Sequence, residues 1–196
     1  MISDELLAAK ALDGDLGAFE ELVDKYKKSV FAIVYRIIGQ YQEAEDITQE
    51  VFLIVYEKLY QFDMGKKFAP WIHKIAVNTT ISALRKKKKA INVSFDETYI
   101  QDNTSGSDVD DPQTIFERTE LSQFINEVIM ELPENYRVII ALRYQMDYSN
   151  GEIAEVLGIS KENVEVKVHR ARKAMRNLYM KKLMQRGMPD ELPASR

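Results

Sequence analysis

A chain of 196 residues, 45% of them hydrophobic, is long enough to bury one large core or two small ones. It has no cysteine, which excludes disulfides and thiolate chemistry. No apolar run reaches the length of a membrane span, and the opening SDELLAAKALDGD lacks the basic-then-hydrophobic pattern of an export signal, so a cytoplasmic protein is expected. The net charge of -4 is unevenly spread: residues 1–90 carry 14 basic and 13 acidic groups, residues 91–118 one and seven, and residues 119–196 twelve and eleven. Any attraction to nucleic acid must therefore come from local basic patches rather than from the chain as a whole.

Helical periodicity dominates, and nothing alternates with period two for long enough to argue a sheet, so the expected fold class is all-α. Ser3 is placed to cap a short first helix that Gly14 breaks. A second helix is expected from about Gly17 to Ile38, with Phe19, Leu22, Val23, Tyr26, Val30, Phe31, Val34 and Ile37 as a broad apolar stripe and Gly39 as its stop. A third is expected from about Gln42 to Tyr60. Pro70 suits the first turn of a fourth, which continues through Trp71, Ile72, Ile75 and Ala76 into the run Arg85 to Lys89. These four helices form one predicted bundle, residues 1–90.

Residues 91–118, with DNTSGSDVDDP at their centre, are acidic and poor in aliphatics, and read as a flexible linker. A second helical unit, residues 119–183 in its main part, begins near Gln113 with Leu121, Phe124, Ile125, Val128 and Ile129 as its first stripe. Pro133 opens the next helix, and residues 184–196 form a tail. Within this unit, Ser149 to Met175 reads as a helix-turn-helix. Ser149 and Glu152 form a capping box, Gly158 tolerates the left-handed turn, and Ser160 caps a second helix with Val164, Val168, Ala171, Met175 and Leu178 facing inward. Glu162, Glu165, Val166, His169, Arg170 and Lys173 then face outward. From Lys161 to Arg186 there are nine Lys or Arg against two Glu, the footprint of a helix set against phosphates.

Two further constellations stand out. The third helix presents Ala44, Ile47, Val51, Ile54 and Val55 on one face and Asp46, Gln49, Glu50, Leu53, Glu57 and Tyr60 on the other. That second face is either plainly solvated or a contact for a basic protein partner. The fourth helix interleaves Phe68, Trp71, His73, Lys74, Asn78, Thr79 and Arg85 with the lysines that follow. Rings, amides and cations together suit single-stranded nucleic acid, although Trp71 reads equally well as a core anchor and His73 reads as a surface histidine. His73 and His169 have no ligand spacing around them, so no metal, cofactor or catalytic site is expected.

The motifs AEDITQEVF, FAPWIHKIAVNTT and HRARKAM, in this order around an acidic linker, closely resemble the two-domain, extracytoplasmic-function (ECF) sigma factors of the sigma-70 family, which serve bacterial RNA polymerase. The resemblance covers nearly the whole chain. It implies a transcription initiation factor without catalysis of its own, in which residues 1–90 bind core polymerase and the minus-ten element and residues 119–183 bind the minus-thirty-five element. It places Asp46, Gln49 and Glu50, with Leu53 and Glu57 beside them, on the clamp helices of the largest polymerase subunit. Phe68, Trp71, Lys74, Asn78 and Thr79 fall at a flipped base of the melted minus-ten strand, with Asn78 at the pocket position.

Arg85, Lys86 and Lys88 would hold the upstream duplex, and the linker would thread the active-site cleft and RNA exit channel. The second unit would meet the flap of the second-largest subunit and place Lys161, Glu165, Val166, Lys167, His169, Arg170, Arg172 and Lys173 at the minus-thirty-five major groove. An anti-sigma partner is also implied. Asn163, Glu165 and Val166 depart from the family's usual Thr, Lys or Arg, and Ser, which changes the expected minus-thirty-five preference. Two rivals are a sigma-like decoy for an anti-sigma protein, which would usually carry a receiver domain, and an ordinary helix-turn-helix repressor, which would leave the third and fourth helices unexplained.

Overall fold

A computed structural model describes residues 2–93 and 112–186, with side chains over 2–87 and 120–186. The described residues form eight α-helices and no strand: α1 (Asp4–Leu12), α2 (Leu16–Ile38), α3 (Tyr41–Lys58), α4 (Phe68–Val93), α5 (Pro112–Met130), α6 (Glu134–Ile140), α7 (Asn150–Leu157) and α8 (Lys161–Arg186). A single 3-10 turn, Leu59–Gln61, follows α3. The central acidic segment up to Asp111 and the last ten residues lie outside the described residues.

The local signals act where the sequence places them. Ser3 Oγ accepts from the Leu6 amide and Asp15 Oδ1 from that of Ala18, so α1 and α2 each start on a side-chain cap. Gly39 ends α2 at φ 82°, and a Cβ there would sit 2.5 Å from Met130 Sδ. The left-handed backbone selects glycine at this position, while the Met130 side chain is flexible enough to move aside. Ser149 and Glu152 make the expected capping box on α7, with Gly158 left-handed at its end.

Two large cores result. The first joins α1, α2, α3 and the start of α4, through residues such as Leu22, Val30, Val51, Phe62, Phe68 and Ile72. The second unites Ile33 and Ile37 of α2 and Val77 of α4 with Ile129, Val138, Leu142, Ile153, Val156, Val164 and Ala171. The two halves of the chain therefore pack on each other, with α4 against α7 and α2 against α5 and α6. Ile33, like Ala18, is a buried residue that the expected stripe of α2 omitted. It points away from the first core and is completely buried only because the C-terminal half covers it. Leu121, expected inside α5, is 54% exposed instead, one turn before the helix reaches its neighbours at Phe124.

Between α6 and α7 the chain makes a π-turn, Ala141–Gln145, in which the Met146 amide donates to the Ala141 carbonyl at 3.1 Å. Asp147 then adopts φ 52°, a left-handed conformation that Asp tolerates better than most residues. This turn delivers Tyr148 to α4. Its backbone is pinned by its amide to Leu142 O at 3.1 Å and by Arg143 Nη1 donating to its carbonyl at 2.7 Å.

Candidate polymerase and promoter surfaces

The α3 helix has the two faces that its period requires. Ala44, Ile47, Val51 and Val55 are buried and Ile54 is half-buried, whereas Asp46, Gln49, Glu50, Leu53 and Glu57 are exposed, as is Tyr60 on the 3-10 turn that follows. Leu53 is 67% and Tyr60 71% exposed, with Tyr56 beside them at 51%. Large apolar groups left largely open to water among carboxylates are the composition of a protein-contact surface, although Tyr56 also packs edge-on against Phe19 at 5.0 Å.

The α4 residues expected at the melted strand separate into three environments. Phe68 is 1% exposed and packs its ring 5.3 Å from those of Tyr26 and Phe62 and 5.5 Å from that of Trp71. It is a core residue, and the expectation that its ring is available to DNA is corrected here. Trp71 is half-buried. With Lys74, Gln61, Phe62, Asp63, Lys66 and Pro70 it lines a cavity of about 160 Å³, whose far side is closed by Glu155 from α7. Asn78 and Thr79 line a different, larger groove of about 540 Å³ between α3 and α4, facing Glu50, Ile54 and Lys58 and continuing to Lys86. Arg85 and Lys86 are exposed; Lys87 is tied back to α3 by Glu43 Oε2 at 2.8 Å. The Lys88 side chain lies outside the described residues.

His73 is the clearest departure from the sequence reading. It is 4% exposed, not a surface group. Its Nε2 lies 3.1 Å from Ser29 Oγ and its Nδ1 2.6 Å from Tyr148 Oη. Ser29 Oγ already donates to the Tyr26 carbonyl, so it accepts from His73 Nε2–H, which leaves Nδ1 to accept from the tyrosine hydroxyl. The neutral ring is satisfied on both nitrogens. Burial holds its pKa down at about 4, and burial raises that of Tyr148, with the nearby carboxylates Glu152 and Glu155 adding to the rise.

On α8, Val164 and Ala171 are fully buried. Lys161, Glu165, Val166, His169, Arg170, Arg172 and Lys173 are exposed, and Lys167 is half-buried on the same outward side. Beside them a groove of about 400 Å³ brings Arg143, Tyr144 and Asn150 up to Glu165, His169 and Arg172. Asn150 Nδ2 donates to Glu165 Oε1 at 3.5 Å. Arg143 and Tyr144 were not legible as part of the surface, because the π-turn that carries them leaves no period in the sequence; Asn150 joins them from the first turn of α7. Farther along α8, Arg176 and Lys181 are exposed, whereas Lys182 pairs with Glu131 at 2.7 Å, and Arg186 pairs with Glu127 at 2.9 Å while lying over the Phe124 ring. The basic surface open to a ligand is thus concentrated in the first half of α8.

An all-helical protein with an acidic-apolar contact helix, a cation-lined aromatic helix and a helix-turn-helix is of the kind that joins a protein machine to DNA. Comparison with known proteins agrees. Residues 22–90 match the Sigma-70 region 2 family and residues 125–175 match Sigma-70, region 4. The chain is 36% identical over 167 residues to the ECF RNA polymerase sigma factor SigW of Bacillus subtilis, covering 83% of this chain and 89% of that one. In fold it is similar to CnrH, solved in complex with the cytosolic domain of CnrY (TM-score 0.66, 24% identity, covering 89% of this chain and 96% of that one). It is also similar in fold to the sigma factor RpoE of Bartonella quintana, solved with the anti-sigma factor NepR (TM-score 0.64, 20% identity, covering 82% and 95%). The chain belongs to the ECF family of RNA polymerase sigma factors, whose function is promoter-specific initiation of transcription by RNA polymerase. No helix among the described residues is long and apolar enough to cross a membrane.

Proposed function

We propose that this factor grips core polymerase through the outer face of α3, holds the melted minus-ten strand along α4 and reads the minus-thirty-five element with the first half of α8, performing no catalysis itself. The observation that carries the reading is the exposure of Leu53 and Tyr60 among Asp46, Gln49, Glu50 and Glu57, a face left open among the described residues. A basic helical partner on the largest subunit fits it. Residues 1–90 form the polymerase and minus-ten unit and residues 119–183 the minus-thirty-five unit, joined by the acidic segment. The protein acts in the cytoplasm, where its polymerase is. It is also proposed to be held by an anti-sigma partner, a reading supported by the complexes in which CnrH and RpoE were solved.

At the melted strand, Trp71 offers a partly open ring beside Lys74, while Asn78 offers an amide that donates and accepts at once, the combination that reads an unstacked base edge. Arg85 and Lys86 neutralise the upstream backbone. The test of the polymerase contact is the double variant Asp46→Lys with Glu50→Lys. Removing charge pairs at such a contact costs about 2–5 kcal/mol. Co-elution with core polymerase should be lost while the helical circular dichroism is unchanged, and wild-type co-elution would overturn the assignment. In the same assay Asn78→Ala should retain polymerase binding and reduce permanganate reactivity of the promoter bubble.

A further inference from the structure

The groove that holds Asn78 has two walls, and one of them is α3. Lys87 ties the far part of α4 to Glu43 in the first turn of α3, so the two helices run antiparallel. Along the groove of about 540 Å³, α3 supplies Glu50, Ile54 and Lys58, which stand four residues apart on one stripe, and α4 supplies Asn78, Thr79, Ser82 and Lys86. Antiparallel packing puts Lys86 toward the Glu50 end and Lys58 toward the Ile75 end. Glu50 to Lys58 spans about 12 Å of helix, a length over which a stacked strand carries about three phosphates at about 3.4 Å each.

Charge is unequal along this groove. Lys86 shares its end with the Glu50 carboxylate, whereas no carboxylate lines the Lys58 end. Lys58 is exposed, and among the described residues its ammonium has no ion-pair partner. As the last residue of α3 it also complements the helix dipole, a role that needs a cation in the last turn but no ligand. That role does not set the side chain's direction, which is along the stripe of Ile54 and into the groove of Asn78. Because Arg85 and Lys86 lie toward the upstream duplex, Lys58 falls on the downstream, single-stranded side.

We propose, on the reading of α4 as the minus-ten surface, that Lys58 is a DNA-binding residue whose ammonium holds a backbone phosphate of the melted strand while Asn78 reads a neighbouring base. The α3 helix then serves polymerase with its outer face and the promoter with its inner edge. A lysine suits this position, since it grips a phosphate as a point charge on a flexible stem and needs no fixed fork geometry. A phosphate contact of this kind carries affinity and salt dependence, and leaves base preference to Asn78.

The test uses holoenzyme assembled from core polymerase and the full-length chain. Its probe is a fork-junction DNA with a duplex upstream part and a single-stranded non-template minus-ten segment, taken from a promoter that the holoenzyme selects from a randomised library. Lys58→Gln should weaken binding at least about threefold at low salt and lower the slope of log K against log salt by about 0.7, the loss of one single-strand phosphate contact. Lys58→Arg should keep the wild-type slope. With one minus-ten linkage at a time made a neutral methylphosphonate, a single linkage should weaken the wild type and leave Lys58→Gln no weaker than before. Co-elution of Lys58→Gln with core polymerase should be unchanged. An unchanged salt slope, additive losses at every linkage, an equal loss on a duplex probe lacking the minus-ten segment, or lost co-elution would each overturn the proposal. If Asn78→Ala weakens binding to the fork and Lys58→Gln does not, the Lys58 assignment alone falls; if neither does, the minus-ten reading of α4 falls with it.

Discussion

The two cation-bearing helices, α4 and α8, look alike in sequence and are used in opposite ways. Each is 26 residues long with a basic stretch. The α4 helix is enclosed, with Phe68, Ile72 and Ala76 in one core, Val77 in the other, and His73 and Thr80 buried between neighbours. The first half of α8 is anchored by little more than Val164 and Ala171 and leaves its remaining surface to solvent. A substitution on α4 therefore tests folding and function together, whereas one on outer α8 tests recognition nearly alone. The lesson is that a stripe of cations does not mark a free surface; what lies on the helix's other faces decides.

The largest expected effect sharpens this contrast from the α4 side. Phe68→Ala removes a ring buried among Tyr26, Phe62 and Trp71, and should cost about 3–5 kcal/mol of stability in urea denaturation. A loss under about 1 kcal/mol, with promoter melting impaired, would instead return Phe68 to the DNA surface and break the distinction.

The next effect is a pH dependence. His73 is held neutral by burial with a pKa of about 4, against 6.5 for the free side chain. The unfolded chain takes up the proton first as pH falls, so stability is constant above about pH 6.5 and declines between there and about pH 4, by roughly 3 kcal/mol in all at 1.36 kcal/mol per unit. Tyr26, Tyr148, Glu152 and Glu155 are the other titratable groups near the ring, and the two tyrosines stay protonated throughout this window. His73→Gln should flatten that decline in denaturation midpoints measured from pH 7 to pH 4; an equal decline in the variant would assign it to other groups.

The smallest stability effect belongs to α8. Glu165→Lys alters an exposed group whose hydrogen bond from Asn150 is at the limit of distance, so stability should move by less than about 0.5 kcal/mol. Recognition should move more. A carboxylate accepts from the cytosine amino group, and a cation prefers guanine or phosphate, a change of about 1–3 kcal/mol at one base position. Selection from a randomised minus-thirty-five library, run for wild type and variant at one salt concentration, measures it. Identical selected motifs would show that Glu165 serves Asn150 rather than the bases.

Much of the architecture follows from short-range rules, and these were legible in the residues. Ser3, Gly39, the Ser149–Glu152 box and Gly158 act on the backbone within a few positions of themselves, so the helix ends they set can be read locally. The inward and outward faces of α3 and outer α8 follow from a 3.6-residue period that one-sided burial preserves. The same reasoning identified the family through motifs, without any contact being known.

Tertiary structure decided the fate of residues whose neighbours come from far along the chain. Nothing near Ile33 shows that it is covered from the C-terminal half. Nothing near His73 shows that a tyrosine 75 positions away satisfies its ring. Phe68 carries the same π-face whether it stacks on a base or fills a core, and only the rings of Tyr26 and Phe62 resolve which. The π-turn and left-handed Asp147 that deliver Tyr148 have no periodic signature, because each is a local break that packing on both sides sustains. Burial of this kind is set by long-range contact, which sequence periodicity does not encode.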